Sequence, residues 1–218
     1  MTRTSHCLVN ELCVKITDGV HITPKYTATG IPFLSVKDLT KGFIDFSNTK
    51  FISPEDHVVL TKRFKPEIED VLYTKVGTTG VAKVVDTERE FSIFVSVALL
   101  KLNHGMIFNR FLEHFLNSKM GRDQAKQRTR GMANKNLVIR DIQEIKILYP
   151  QDIEEQKCIV AKLDHLQAET QRLETIYRQK LAALTELKQS ILQKAFTGEL
   201  TAETANQATK TAKEVIAA

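Results

Sequence analysis

Through its first hundred residues the chain alternates short apolar runs with turn residues. Ile31-Pro32-Phe33-Leu34-Ser35-Val36, Phe43-Ile44-Asp45-Phe46, Phe51-Ile52, Asp70-Val71-Leu72-Tyr73-Thr74, Val81-Ala82-Lys83-Val84-Val85 and Phe91 to Val97 predict strands. Thr29-Gly30, Lys41-Gly42 and Gly77-Thr78-Thr79-Gly80 punctuate them. From Phe108 to Met120 the period changes: Phe108, Phe111, Leu112, Phe115 and Leu116 fall on one face of a helix. Leu137-Val138-Ile139 and Glu144 to Tyr149 then predict closing strands, ended by Pro150. Residues 1–150 thus read as a mixed, β-rich globular domain of the α+β class.

Past Pro150 the texture is different. Asp152 to Phe196 contains no Pro and no Gly and is dominated by Ala, Leu, Glu, Gln, Lys and Arg, which predicts one long C-terminal α-helix. Ile159, Leu163, Leu166, Leu173, Tyr177, Leu184, Leu187 and Ile191 recur at alternating spacings of four and three, with Thr170 completing one step and Lys180 breaking another beside Leu181. That is a heptad stripe. A helix of this length extends about 68 Å at 1.5 Å per residue. One such stripe cannot bury itself, so a second helix must cover it, as in an antiparallel coiled coil. Gly198 suits the helix end. The boundaries are therefore 1–150 for the domain, 151–198 for the helix, and 199–218 for an Ala/Thr-rich tail expected to be frayed or disordered.

Charge sharpens the picture. The net charge of +5 is modest, but residues 1–150 hold 22 Lys/Arg against 16 Asp/Glu while residues 151–218 are slightly acidic. Within the first part, Lys119, Arg122, Lys126, Arg128, Arg130, Lys135 and Arg140 face a single acid, Asp123. Gln124, Gln127, Thr129, Asn134 and Asn136 are interleaved with them, and such side chains hydrogen-bond both phosphates and base edges. Cys7, Cys13 and Cys158 include no CxxC pair, which argues against a disulfide framework or zinc knuckle and suits a reducing cytoplasm. No signal peptide and no run of 18 apolar residues is present, so neither secretion nor a membrane partner is expected.

Catalytic signatures do not emerge. Lys75-Val76-Gly77-Thr78-Thr79-Gly80 offers amides, hydroxyls and a lysine in a tight turn that could hold a phosphate, but it lacks the GKS or GKT ending of a nucleotide-binding loop. The six histidines form no HxH or HExxH pair, and no metal site is expected. Glu144-Ile145-Lys146 has the spacing of a nuclease half-motif, which strand alternation explains better. The FxGxG and Asn/Asp-Pro-Pro-aromatic signatures of an adenine methyltransferase are missing. These residues describe a reader rather than an enzyme.

Several ordered blocks resemble the DNA-specificity subunits of type I restriction-modification systems. They are Ile16 to Pro24 with Gly30-Ile31-Pro32-Phe33-Leu34; Asp70 to Gly77; Arg130-Gly131 with Asn136-Leu137; Tyr149-Pro150 with Glu154-Glu155-Gln156; and Leu187 to Leu200. Glu69 stands where that family usually has Gly, and Tyr149-Pro150-Gln151-Asp152 where it usually has Pro-Pro. Family members ordinarily carry two recognition domains and two conserved helices, so this chain reads as a half-subunit with one of each.

The resemblance implies that residues 1–150 are a target recognition domain and that the helix acts as a spacer. A homodimer paired through the helices would read a bipartite, palindromic duplex site, with half-sites at most roughly 20 base pairs apart. Chemistry would come from a modification subunit using S-adenosylmethionine and a motor-nuclease subunit requiring ATP and Mg, leaving this chain without a cofactor. Loop position and donor type nominate Lys37, Lys75, Thr78, Thr79, Arg128, Arg130, Asn134 and Lys135 for DNA contact. Leu163, Leu166, Leu173, Tyr177, Leu184 and Leu187 are nominated for dimerisation and for docking the modification subunit. Two competing readings are a stand-alone DNA-binding regulator and a half-subunit that pairs with a different one.

Overall fold

The computed structural model describes residues 4–62, 64–131 and 135–199. They fall into two compact units, Met1–Lys162 and Leu163–Ala218. In chain order the elements are β1 (Thr4–Leu8), β2 (Cys13–Asp18), β3 (Ile31–Leu34), β4 (Lys50–Ile52), α1 (Pro54–Thr61), β5 (Val71–Thr74), β6 (Ala82–Val84), β7 (Ser92–Ile93), β8 (Val97–Leu102), α2 (Asn109–Asn117), α3 (Lys119–Arg128), α4 (Ile139–Gln143), β9 (Lys146–Pro150) and α5 (Ile153–Thr197). Mixed sheets followed by a long helix are the α+β architecture that the residue pattern predicts.

A four-stranded antiparallel sheet, ordered β2-β8-β5-β6, lies at the centre of the first unit. Alternation along its strands divides the interior in two. Val71 and Tyr73 of β5 join Ala98, Leu100 and Leu102 of β8, and Ala82 and Val84 of β6, in one core. Leu72 and Leu99 point to the other side, against Leu34, Phe91 and Ile93. Burial on both faces explains why Val71 to Thr74 reads as an unbroken run rather than an alternating one. On the second face lies the small sheet β4-β3-β7, with β3 antiparallel to β4 and parallel to β7. A separate ribbon pairs β1 with β9, joining the start of the domain to its close.

Helix α2 covers the first core with Leu112 and Leu116, both fully buried, flanked by Phe111 and Phe115. The helix predicted to Met120 instead breaks at Ser118, whose extended backbone ends α2 and whose Oγ accepts the Gly121 amide to start α3. A Cβ on Gly121 would stand 2.4 Å from the Phe115 carbonyl oxygen, so only glycine lets α3 turn back this closely. Phe43 to Phe46 is not a strand: Asp45 accepts the Ser47 amide and hydroxyl and pairs with Lys41, which holds the segment as a turn. Leu137 to Ile139 is likewise not a strand. Leu137 donates to the Lys75 carbonyl, and Val138 in extended conformation opens α4. The residue pattern misses β1 and β2, whose apolar positions polar residues interrupt, and the run Phe91 to Val97 is not one strand: it holds β7 and only the first residue of β8.

Three residues in the resembling blocks have physical explanations. Glu69 has φ +72°, the left-handed conformation that glycine adopts most easily, which accounts for the glycine usual at this position. Asp70 accepts the Glu67 amide and the Lys101 ammonium, tying the turn before β5 to β8. Gln156 is fully buried; its Oε1 accepts the Phe108 amide, and its Nε2 donates to the Met106 and Pro150 carbonyls. With Val160, it fastens the first turns of α5 into the first unit. Gln156→Ala strands one amide and two carbonyls, and is expected to cost about 2–4 kcal/mol of stability, read as a lower urea midpoint.

In the second unit α5 continues to Thr197. Its apolar stripe is uncovered, with exposure from 39% at Leu163 to 62% at Tyr177 and Leu184. No helix among the described residues is long and apolar enough to cross a membrane. The expectation of a frayed or disordered tail concerns residues that, from Leu200 onward, lie outside the described ones.

Candidate nucleic-acid interface

The turn after β5 and the basic segment 119–140 meet. Gly77 has φ +79° and Gly80 φ +86°, so the turn Gly77 to Gly80 needs a glycine at each end. The Gly77 amide donates to the Lys135 carbonyl at 2.9 Å, and Leu137 returns a bond to the Lys75 carbonyl at 2.7 Å. Thr79 and Thr129 hydroxyls lie 3.1 Å apart. Beneath the turn, a Cβ on Gly80 would stand 3.2 Å from the Ala125 Cβ of α3 and 3.7 Å from the Tyr73 hydroxyl. That hydroxyl has no hydrogen-bond partner among the described residues, and burial pushes its pKa up, so it stays neutral.

These contacts leave a cleft of about 550 Å³ lined by Gly77, Thr78, Thr79, Val81, Arg122, Lys126, Thr129, Gly131 and Lys135. Three of its lining residues are cations and none is an acid. Arg122, Lys126 and Thr129 reach it together because spacings of four and three place them on one face of α3. Arg122, Lys126 and Lys135 are exposed, and among the described residues none of them forms an ion pair. The Thr129 hydroxyl donates to the Ala125 carbonyl and accepts from Thr79, which leaves the Thr78 hydroxyl as an open neutral donor, and the Thr78 and Thr79 amides have no protein acceptor among the described residues. The Gly77 and Gly80 amides are already spent, on the Lys135 and Thr74 carbonyls. A concave surface of cations, hydroxyls and open amides suits a polyanion, and phosphodiester oxygens above all.

The nominated residues divide accordingly. Thr78, Thr79 and Lys135 line the cleft. Lys37 is exposed but does not line the cleft: its ammonium lies 3.4 Å from the Asn48 carbonyl, and it borders a smaller hollow of about 240 Å³ with Tyr26, Phe33 and Lys50. Arg130 is exposed, 3.4 Å from Asp141, and its backbone bonds in both directions with Asn136. Arg128 turns away from the cleft, its guanidinium donating to the carbonyls of Gln124 and Glu144. Lys75 is buried, with its ammonium 2.7 Å from Asp18, so it is a structural ion pair rather than an open loop cation. Asn134 lies outside the described residues. Arg122 and Lys126 were not nominated, and their four-residue spacing is the signal that could have found them.

The Lys75–Asp18 pair predicts a separable phenotype. Lys75→Met removes the buried cation from a partly exposed carboxylate that keeps His21 3.3 Å away, and is expected to lower stability by about 1–2 kcal/mol. Arg122→Ala and Lys126→Ala, both at exposed positions, are expected to leave thermal melting unchanged.

Comparison with known proteins identifies the family. Residues 14–183 match the type I restriction modification DNA specificity domain. The specificity subunit of the type I restriction enzyme EcoBI from Escherichia coli is 33% identical over 174 residues, covering 80% of this chain and 36% of that protein. The EcoKI specificity subunit from Escherichia coli strain K12 is 24% identical over 201 residues, covering 88% and 42%. Among solved structures, a chain from work on complex assembly and conformational transition of the type I restriction-modification system superposes with a TM-score of 0.68. It is 23% identical, and the match covers 88% of this chain and 45% of that one. The chain thus spans about two fifths of the length of the curated relatives it matches. With the family match running from β2 into the far half of α5, this chain belongs to the type I restriction-modification DNA-specificity family.

Proposed function

We propose that this chain is a DNA-reading specificity component that supplies the address for a type I restriction-modification complex and does no chemistry itself. The cleft between the Gly77 turn and α3 carries the duplex contact, because three exposed cations converge there with the Thr78 hydroxyl and without an acid. Arg122, Lys126 and Lys135 hold phosphates and so set position; the Thr78 hydroxyl and the Thr78 and Thr79 amides approach from the adjoining turn. The uncovered stripe of α5 supplies the second element. Pairing with a second copy buries it, and two identical readers related by a two-fold axis require an inverted repeat. Remaining helix surface is available to dock the modification subunit, with S-adenosylmethionine, ATP and Mg acting on the companion subunits.

Selection of duplexes from a randomised pool by the purified chain tests this reading. The expected product is a gapped palindrome. A single ungapped half-site would favour pairing with a different specificity chain, and absence of enrichment would overturn the reading.

A further inference from the structure

Helix α5 carries a stripe whose two polar positions complement each other. Its seam residues are Leu163, Thr170, Tyr177, Leu184 and Ile191 in one heptad position, and Ile159, Leu166, Leu173, Lys180 and Leu187 in the other. From Leu163 to Leu187 every apolar member is exposed. Thr170 and Lys180 are the polar members: Lys180 carries a charge that is costly to bury against an apolar side chain, and Thr170, whose hydroxyl donates to the Leu166 carbonyl, keeps an oxygen that can accept from an ammonium. A parallel pair would set Lys180 against Lys180. An antiparallel pair sets residues of one position against residues of the other, so that only certain registers are open.

We propose that α5 pairs antiparallel with a second copy in the register whose two-fold axis passes Thr175. Thr170 then faces Lys180 of the other chain, and every other layer is apolar. Ile159 meets Ile191, Leu163 meets Leu187, Leu166 meets Leu184, and Leu173 meets Tyr177. A shift of one heptad in one direction places Leu163 against Lys180 and Thr170 against Leu173. The opposite shift places Leu163 against Lys194 and Tyr177 against Lys180. The self-complementary register is thus the one that confines both polar residues to shared layers, a use of core polar residues that fixes register in coiled coils.

Flanking positions agree. Glu169 lies beside Lys180 of the other copy on the same flank, so the lysine can run its stem over the seam and end at a carboxylate. In the single chain its ammonium already leans along the helix, 5.9 Å from the Tyr177 ring. Ile176 meets its own counterpart across the axis and widens the apolar seam. On the opposite flank Glu174 faces Glu174, a solvent-exposed contact that salt screens. This inference deepens the dimer reading above and rests on it. The register is also the ruler: shifting it by one heptad changes the axial distance between any residue and its symmetry mate by about 10 Å.

Spin labels at Ala168, Thr175 and Ala182, three positions on the outer face of α5, test it by electron-electron distance measurement. The chain carries Cys7→Ser, Cys13→Ser and Cys158→Ser, and its folding is matched to the native chain by circular dichroism. The shortest distance is expected at Thr175, with equal distances at Ala168 and Ala182 from an axial offset of about 21 Å each. Unequal distances at Ala168 and Ala182 in a dimer would overturn the register and leave the dimer standing. The same short distance at all three sites would mean a parallel pair. Monomers by light scattering would overturn both register and dimer. Photo-cross-linking from benzoylphenylalanine at Leu173, in a chain with its cysteines intact, gives an independent readout, expected at Tyr177 of the second copy; capture elsewhere along α5 contradicts the register.

Discussion

Replacing Arg122 and Lys126 together with alanine is expected to weaken duplex binding by roughly 30- to 100-fold per half-site at about 0.1 M salt, and to lower the slope of log affinity against log salt by about 2. The reason is stoichiometric. Each cation lines the cleft, is exposed, and is committed to no carboxylate among the described residues, so each is available to displace one condensed counterion from DNA. Because the loss is electrostatic, it falls on all duplex sequences alike. Binding titrations at several salt concentrations measure both quantities. Lys25 and Lys62, exposed cations that do not line the cleft, serve as controls; equal losses from their substitution would mean that the cleft has no special part in binding.

An effect of similar size is expected at the other end of the chain. Leu173→Lys with Leu184→Lys introduces two charges per helix into the stripe, hence four into a self-paired seam, and should yield monomers by light scattering. Neither residue lies in the first unit, so thermal unfolding of the recognition domain should be retained. Loss of pairing makes two-site binding one-site binding. Affinity for a full bipartite site should then fall by about two to four orders of magnitude while affinity for an isolated half-site stays level. A doubly substituted chain that remained dimeric would remove α5 from the interface.

Long-period features were legible in the residues, and features set by distant partners were not. Helix α5 was readable nearly to its ends because 45 residues of unbroken helix formers leave no alternative. Strands β5, β6 and β9 were visible as apolar runs. Strand β1 was not, because it lies in a two-stranded ribbon and alternates exposed with partly buried residues such as Ser5 and Cys7. Leu137-Val138-Ile139 has strand-like composition, but three residues carry no period, and the backbone bond from Leu137 to Lys75 decides its conformation.

The cleft followed the same division. Thr78, Thr79 and Lys135 could be picked out from a glycine-bounded turn and a basic run. The four-residue spacing of Arg122 and Lys126 sets them on one helix face, but that this face turns to the cleft follows from the break at Ser118, which the residue pattern does not show. Lys75 looks like a loop cation in sequence, since its partner Asp18 stands 57 residues earlier. Arg128 likewise looks free until its guanidinium is seen capping carbonyls of its own neighbourhood. A cation's role depends on whether an acceptor already holds it, and that is a property of the fold.

The central claim, that this chain supplies the sequence address for DNA modification, is tested most directly by modification-sensitive sequencing of genomic DNA. Cells expressing the chain with a type I modification subunit are compared with cells expressing that subunit alone. Methylated adenine confined to a gapped palindrome, present only with the chain and lost in the Arg122→Ala, Lys126→Ala variant, is the predicted result. An adenine methylation pattern that is the same with and without the chain would contradict the account.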